Sequence, residues 1–221
     1  MREVKNLTKI YKSPAMGYEE DDNSEKRLNF VMGFIGHNRT GKTATAKQIA
    51  MHWKQSRPNG RILAFDPQYQ FRTIADEIIY GTEVHTWHKK ALSYRDSLII
   101  FDDYKALMPG RNAPDGLLEL LTMRSHYNID IIYITHSPSL VLNTLTYYTT
   151  HYMIFYTQTS MGGFEKKIPN YLYVQTAINE VNKYVGKYGR GKYPLFPYIT
   201  FDVQAEKMSA VNMNNAKDDI E

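Results

Sequence analysis

Short runs of consecutive apolar residues alternate along this chain with segments whose apolar positions recur every three or four residues. "LNFVMGFI" (28–35), "RILAFDP" (61–67), "SLIIFDDY" (97–104), "IDIIYITHSP" (129–138), "HYMIFYTQ" (151–158) and "YITFDV" (198–203) each read as a buried strand. Helical spacing lies between them. Over 42–55, Ala46, Ile49, Ala50 and Trp53 fall at i, i+3, i+4 and i+7 and form one core face. The pattern also predicts helices near 72–80, over 115–127 with Leu117, Leu120 and Leu121 inward, and over 169–185. A short helix fits between 138 and 151, and "TEVHTW" (82–87) reads as a short strand. "SRPNG" (56–60) and Pro67 are stop signals.

Continuous apolar strands alternating with helices indicate an α/β fold, a mainly parallel central sheet flanked by helices. A length of 221 residues suits one domain. The polar, charged and aperiodic "GYEEDDNSEKR" (17–27) marks residues 1–27 as an N-terminal arm. The domain then spans 28–203, and 204–221 reads as a flexible polar tail.

Candidate chemistry concentrates in "GHNRTGKT", Gly36 to Thr43, which fits G-x-x-x-x-G-K-[ST] between a strand and a helix. Composition alone would produce that pattern roughly once in a hundred chains of this length. Gly36 and Gly41 let the backbone curl so that N–H groups face phosphate oxygens, and the helix N-terminus adds a positive dipole end. His37, Asn38, Arg39, Thr40 and Ala44 complete the nucleotide-binding stretch. Lys42 places a point charge on the β/γ-phosphates, and Thr43 offers a hydroxyl to Mg²⁺.

"LIIFDD" supplies the carboxylates such a loop needs on a neighbouring strand: Asp102 for Mg²⁺ and Asp103 as general base toward the attacking water. Asp103 is one methylene shorter than the Glu that more often fills that role. Thr135 and His136 end the next strand, where a polar γ-phosphate sensor would stand, although Ser137-Pro138 also reads as a helix start. Arg124, Arg111 and Arg39 are candidate arginine fingers, with Arg124 first because a helix rim can reach a neighbouring subunit; each also reads as a surface cation.

The remaining composition narrows the partners. Net charge is +4, which permits a nucleic acid without demanding one. In "KYVGKYGRGKYP" (183–194) Lys183, Lys187, Arg190 and Lys192 interleave with tyrosines, so the cations could neutralise phosphates and the rings could stack on bases. With 18 Tyr in the chain, such interleaving also arises by chance. The loops 108–114 and 160–167 are rival contact points. There is no Cys, which excludes disulfides and thiolate metal sites. His52, His85 and His88 lack the context of a zinc site. The apolar runs fall short of a membrane span, and the N-terminus lacks the apolar core of a secretory signal. No Asn-Lys-x-Asp motif for reading guanine is present.

Taken together, the loop, the strand ending "ILAFDP", the carboxylate strand, the helix bearing Arg124 and the strand with a polar end resemble the FtsK–HerA branch of P-loop ATPases, over about residues 28–158. Size adds a resemblance to the genome-packaging ATPases of tailless icosahedral viruses, and secondarily to the Zot-like ATPases of filamentous phages. The resemblance implies a RecA/ASCE-like fold and a homo-oligomeric ring, usually a hexamer. It also implies Mg·ATP between subunits, DNA in the channel, and Arg124 acting in trans. Capsid vertex or portal proteins are further implied partners, and the host cytoplasm or a virion vertex is the implied location. The usual Gln sensor is replaced by Thr135-His136. A nucleotide or metabolite kinase, which would need an Arg-rich lid, and a nucleotide-gated virion protein with little turnover are the competing readings.

Overall fold

Eight strands pair into one sheet. In chain order they are β1 (Val31–Ile35), β2 (Arg61–Phe65), β3 (Glu77–Ile79), β4 (Ser97–Phe101), β5 (Ile129–Thr135), β6 (His151–Phe155), β7 (Tyr198–Asp202) and β8 (Lys207–Val211). Five α-helices among the described residues accompany them: α1 (Lys42–Ser56), α2 (Trp87–Ser93), α3 (Leu117–Tyr127), α4 (Asn143–Tyr148) and α5 (Tyr171–Tyr188). The structure, a computed structural model, describes residues 29–79, 87–103, 116–158, 168, 170–191 and 195–213.

The spatial order is β3-β2-β4-β5-β1-β6-β7-β8. The first six are parallel, and β7 and β8 add an antiparallel end. Strand residues point alternately to the two faces. Met32 and Phe34 of β1 join Ala46, Ile49, Ala50 and Trp53 of α1 on one face. Val31 and Ile35 join Leu117, Leu120 and Leu121 of α3 and Val174, Ala177, Ile178 and Val181 of α5 on the other. Both faces are covered, which explains why the strands carry no polar alternation.

At the amino-terminal edge of the parallel strands, one buried carboxylate ties three elements together. Asp130, at the start of β5, is wholly buried. It accepts from the backbone N–H of Phe30 (3.0 Å), the amide of Asn29 (3.4 Å) and the indole N–H of Trp53 on α1 (2.7 Å). Arg57 supplies the counter-charge at 3.3 Å and stacks over the Trp53 ring.

Three local expectations are corrected. Of the segment 72–80, expected to be helical, residues 72–79 form a turn followed by strand β3. Carboxylates redirect the backbone here: Asp66 accepts from Phe71 N–H at 2.7 Å, and Asp76 accepts from Ile62 N–H at 2.7 Å. The helix expected over 169–185 runs on as α5 to Tyr188, so Lys187, read as part of a Gly-rich basic segment beyond that helix, lies on it with Lys183. Gly186 faces open space while Val181 and Val185 continue the buried stripe, so the helix continues through it. Residues 207–211, read as part of a polar tail, form β8, paired with β7 through the backbone. The arm 1–27, most of "TEVHTW", the loops 108–114 and 160–167, and the chain end from 214 lie outside the described residues. No described helix is long and apolar enough to cross a membrane.

Removing the carboxylate at Asp130 strands an indole N–H, a guanidinium and an amide inside the fold. Asp130→Ala is expected to cost about 3–5 kcal/mol. Trp53→Phe, which loses one hydrogen bond to a charged acceptor, should cost about 1.5–3 kcal/mol. Urea unfolding midpoints of the two variants check the order.

Candidate functional site

Parallel strands end together at the other edge of the sheet, and the site is built from the residues just beyond those ends. Gly36 comes directly after β1, Asp66 after β2 and Asp102 after β4, and Thr135 closes β5. The chain crosses β1 to pass from β5 to β6, so strand order reverses at β1. Open α/β sheets bind ligands in the crevice outside the carboxyl ends at such a point.

The loop from Gly36 to Thr43 is pinned on both sides. Gly36 N–H donates to Thr135 O at 3.2 Å, and His37 N–H donates to Tyr156 O at 2.8 Å. A Cβ on Gly36 would lie 2.6 Å from that of Phe155, so only glycine fits. Gly41 caps α1 at a φ of 98°, and a Cβ there would meet the Phe196 ring at 2.3 Å. α1 starts with no side-chain cap and no acidic residue in its first turn. Its first N–H groups and positive dipole end therefore have no anionic partner from the helix itself.

Opposed charges are buried beside that helix end. Lys42 is 5% exposed; its Nζ donates to His37 O at 2.6 Å, and Thr40 Oγ1 donates to the same carbonyl at 2.7 Å. Burial pulls the Lys42 pKa down to about 8, against the pull of Asp102 and Asp103 in the other direction. Burial pushes Asp102 up to about 6, with Asp66 and Asp103 adding to the rise and Lys42 opposing it. Asp103 adopts a left-handed φ of 48° and brings Oδ1 to 3.5 Å from Nε2 of His136. Burial, Lys42 and His37 lower the His136 pKa below its usual value, and Asp103 acts against them. At neutral pH the imidazole is therefore mainly neutral and can hold Asp103 through Nε2–H.

Lys42, Asp102, Asp103 and His136 are thus brought together, with Thr43 and Ala44 half-buried in the first turn of α1 and Asn38 and Arg39 exposed on the loop. Arg124 is not brought to this loop. Its guanidinium donates to Leu121 O and lies 5.5 Å over the Tyr148 ring. With Asn29, Thr150, His151 and Asp202 it borders a cavity of about 60 Å³ at the opposite edge of the sheet. Arg111 and Lys192 lie outside the described residues. Lys183, Lys187 and Arg190 are exposed, and Arg190 stacks 4.6 Å over Tyr156, beside the loop.

Asp66 had no role assigned from the sequence beyond its place in "ILAFDP". It is wholly buried, accepts from Gln68 N–H (2.9 Å) and Phe71 N–H (2.7 Å), and raises the pKa of Asp102. An Asp-Pro at a strand end was its signal. Tyr156 and Phe196 carried none, since both contact the loop through the tertiary fold.

The fold matches solved structures. The chain superposes with a TM-score of 0.64 on the genome packaging NTPase B204 from Sulfolobus turreted icosahedral virus 2 in complex with ATP-gammaS, at 12% identity over 83% of this chain and 96% of that one. B204, the DNA-packaging ATPase from Sulfolobus Turreted Icosahedral Virus, gives 0.63 at 15% identity, over 83% and 98%. The fold is that of the P-loop NTPases. The cytoplasmic domain of the Thermomonospora curvata Type VII Secretion ATPase EccC shares it, with a TM-score of 0.58 at 10% identity, over 83% of this chain and 23% of that one. No protein-family model and no curated protein matches the sequence. The same 83% of this chain thus accounts for 96–98% of B204 and for 23% of the EccC domain.

Two costs are superimposed at Gly41 and can be separated. Gly41→Ala is expected to destabilise by about 2–4 kcal/mol, from backbone strain and from the clash with Phe196. Adding Phe196→Ala should remove the clash and leave the strain. Denaturant unfolding of the two single variants and the double variant gives the coupling.

Proposed function

We propose that the chain is an ATP-hydrolysing, DNA-translocating motor subunit of the viral genome-packaging type. The observation that carries this reading is Lys42, buried at an uncapped helix N-terminus and facing Asp102. A polyphosphate would relieve the desolvated ammonium and use the helix N–H groups, and a divalent cation would relieve the desolvated carboxylate. The glycines at 36 and 41 leave the space and backbone form for the loop to close around phosphates.

Thr43 and Asp102 would hold Mg²⁺. Among the described residues no group of three or more His, Cys, Asp or Glu gathers around a metal position. That fits an ion whose shell is completed by nucleotide phosphates and water. Bound there, Mg²⁺ would neutralise charge on the β- and γ-phosphate oxygens.

Asp103 accepts the proton of the attacking water, and His136 holds Asp103 in place and senses the γ-phosphate. The trans arginine would come from the next subunit of a hexameric ring. Arg124 suits a trans role in that it lies at the sheet edge away from its own loop, and engagement requires it to leave Leu121 O. Packaging is favoured over secretion because the 83% of this chain that aligns accounts for 96–98% of B204 but only 23% of the EccC cytoplasmic domain. DNA and capsid vertex or portal proteins are then the partners, in the host cytoplasm or at a virion vertex.

Two outcomes are expected for the purified chain. ATP turnover should be stimulated by DNA and abolished by Lys42→Ala; Mg·ATP binding with negligible turnover under every DNA condition would leave a nucleotide-gated structural protein instead. Second, Mg·ATP affinity should be flat between about pH 6 and pH 8. Below pH 6, Asp102 (pKa about 6) holds a proton that the cation must displace, so affinity falls with falling pH. Above pH 8, Lys42 (pKa about 8) is neutral and must regain a proton to meet the phosphates, so affinity falls with rising pH. Calorimetric titration in buffers of different ionisation heat would show proton release on the acid limb and uptake on the basic limb.

A further inference from the structure

The reactive end of the proposed site is defined by Asp102, Asp103 and His136, which follow β4 and β5 and face Lys42 of the loop from that side. A triphosphate seated lengthwise with its γ-phosphate there must leave the loop on the other side, toward β6 and β7. Three side chains border that side of the loop. Tyr156 comes directly after β6, and its carbonyl anchors His37 N–H of the loop at 2.8 Å. Arg190 lies just past the end of α5, 4.6 Å over the Tyr156 ring. Phe196 precedes β7 and presses its ring on Gly41. Resting on the nucleotide reading above, we propose that Arg190, stacked on Tyr156 and walled by Phe196, is the platform for the nucleobase, and that it accepts adenine and guanine alike.

The chemistry rests on shape and on which polar groups are already engaged. A guanidinium is flat and weakly hydrated, and with one face on an aromatic ring it offers the other to a second flat π-system. Arg190 is exposed, so that outer face is accessible. Base stacking is tolerant of identity because every base has a π-face. Discrimination would need a polar group free to read a base edge, and four backbone groups among the described residues here are already engaged. Tyr156 O accepts from the loop, Thr157 N–H and C=O are both bonded to Asn182 (3.1 and 2.6 Å), and Phe196 O accepts from Asn212 (2.9 Å). Arg190 is thereby moved from the DNA-contacting group predicted from the sequence to the nucleotide.

The test is calorimetric binding of Mg·ATP, Mg·GTP and Mg·tripolyphosphate to the full chain, with DNA affinity by fluorescence anisotropy alongside. Wild type should bind ATP and GTP within about fivefold of each other. Arg190→Ala should weaken both nucleotides by about 5- to 100-fold, leave tripolyphosphate and DNA unchanged, and not be rescued by Arg190→Lys. Tyr156→Ala should behave as Arg190→Ala does. Unchanged nucleotide affinity in both variants, equal loss for tripolyphosphate, loss confined to DNA, or strong preference for one purine would each overturn the proposal. Wild type that binds none of the three ligands, with Lys42→Ala no different, would instead bring down the nucleotide reading on which it stands.

Discussion

Two buried charges of opposite sign, Lys42 and Asp102, set the terms for the rest of this molecule. Each is held where its ionised form is disfavoured, and the pKa shifts of both run toward neutrality. Such a pair persists only if the surrounding structure is strong enough to hold it. The sheet provides that strength. Lys42 enters from the end of β1 and Asp102 from the end of β4, with β5 paired between them. The separation of the two charges is therefore set by strand register together with the pinned loop that carries the chain from β1 to Lys42.

The two edges of the sheet divide the work between stability and chemistry. At the amino-terminal edge Asp130 has amide, indole and backbone donors and an arginine beside it, so its charge is well compensated. At the carboxyl-terminal edge Asp66 and Asp103 add to the burial that raises the proton affinity of Asp102, and Lys42 offsets this only in part, so the compensation of Asp102 is incomplete. Trp53 and Lys42 sit on the same helix, α1, about three turns apart. One helix is thus anchored at its far end by a satisfied carboxylate and presents its near end to unsatisfied ones. Well-paired interior charges support the fold, and poorly paired ones mark where a ligand can gain most.

Much of this was legible in the order of residues, and the reasons for the gaps are physical. Fully buried strands declare themselves by unbroken apolar runs, and the turn from β1 into α1 by glycines at fixed spacing, so β1, β4, β5 and β6 and that strand–loop–helix order were placed correctly. The segment 72–80 misled because Ile74, Ile78 and Ile79 sit at helical intervals, while Asp66 and Asp76 draw the backbone into turns and β3. β8 was missed because an edge strand held by backbone pairing needs few apolar side chains; of its five residues only Val211 is buried. Arg124 shows a further limit. Helical periodicity gives the face a residue occupies but not the end of the sheet it reaches, and α3 carries Arg124 away from the loop.

The double tethering of the phosphate loop has a mechanical meaning. Its first two N–H groups are bonded to strands on either side of β1, to Thr135 of β5 and to Tyr156 just beyond β6. A push on the loop is therefore shared between two strands of a packed sheet instead of being absorbed by a soft joint. Compliance is lowest where a triphosphate would seat, and any stroke has to be delivered by parts of the chain that lean on this anvil rather than by the anvil itself.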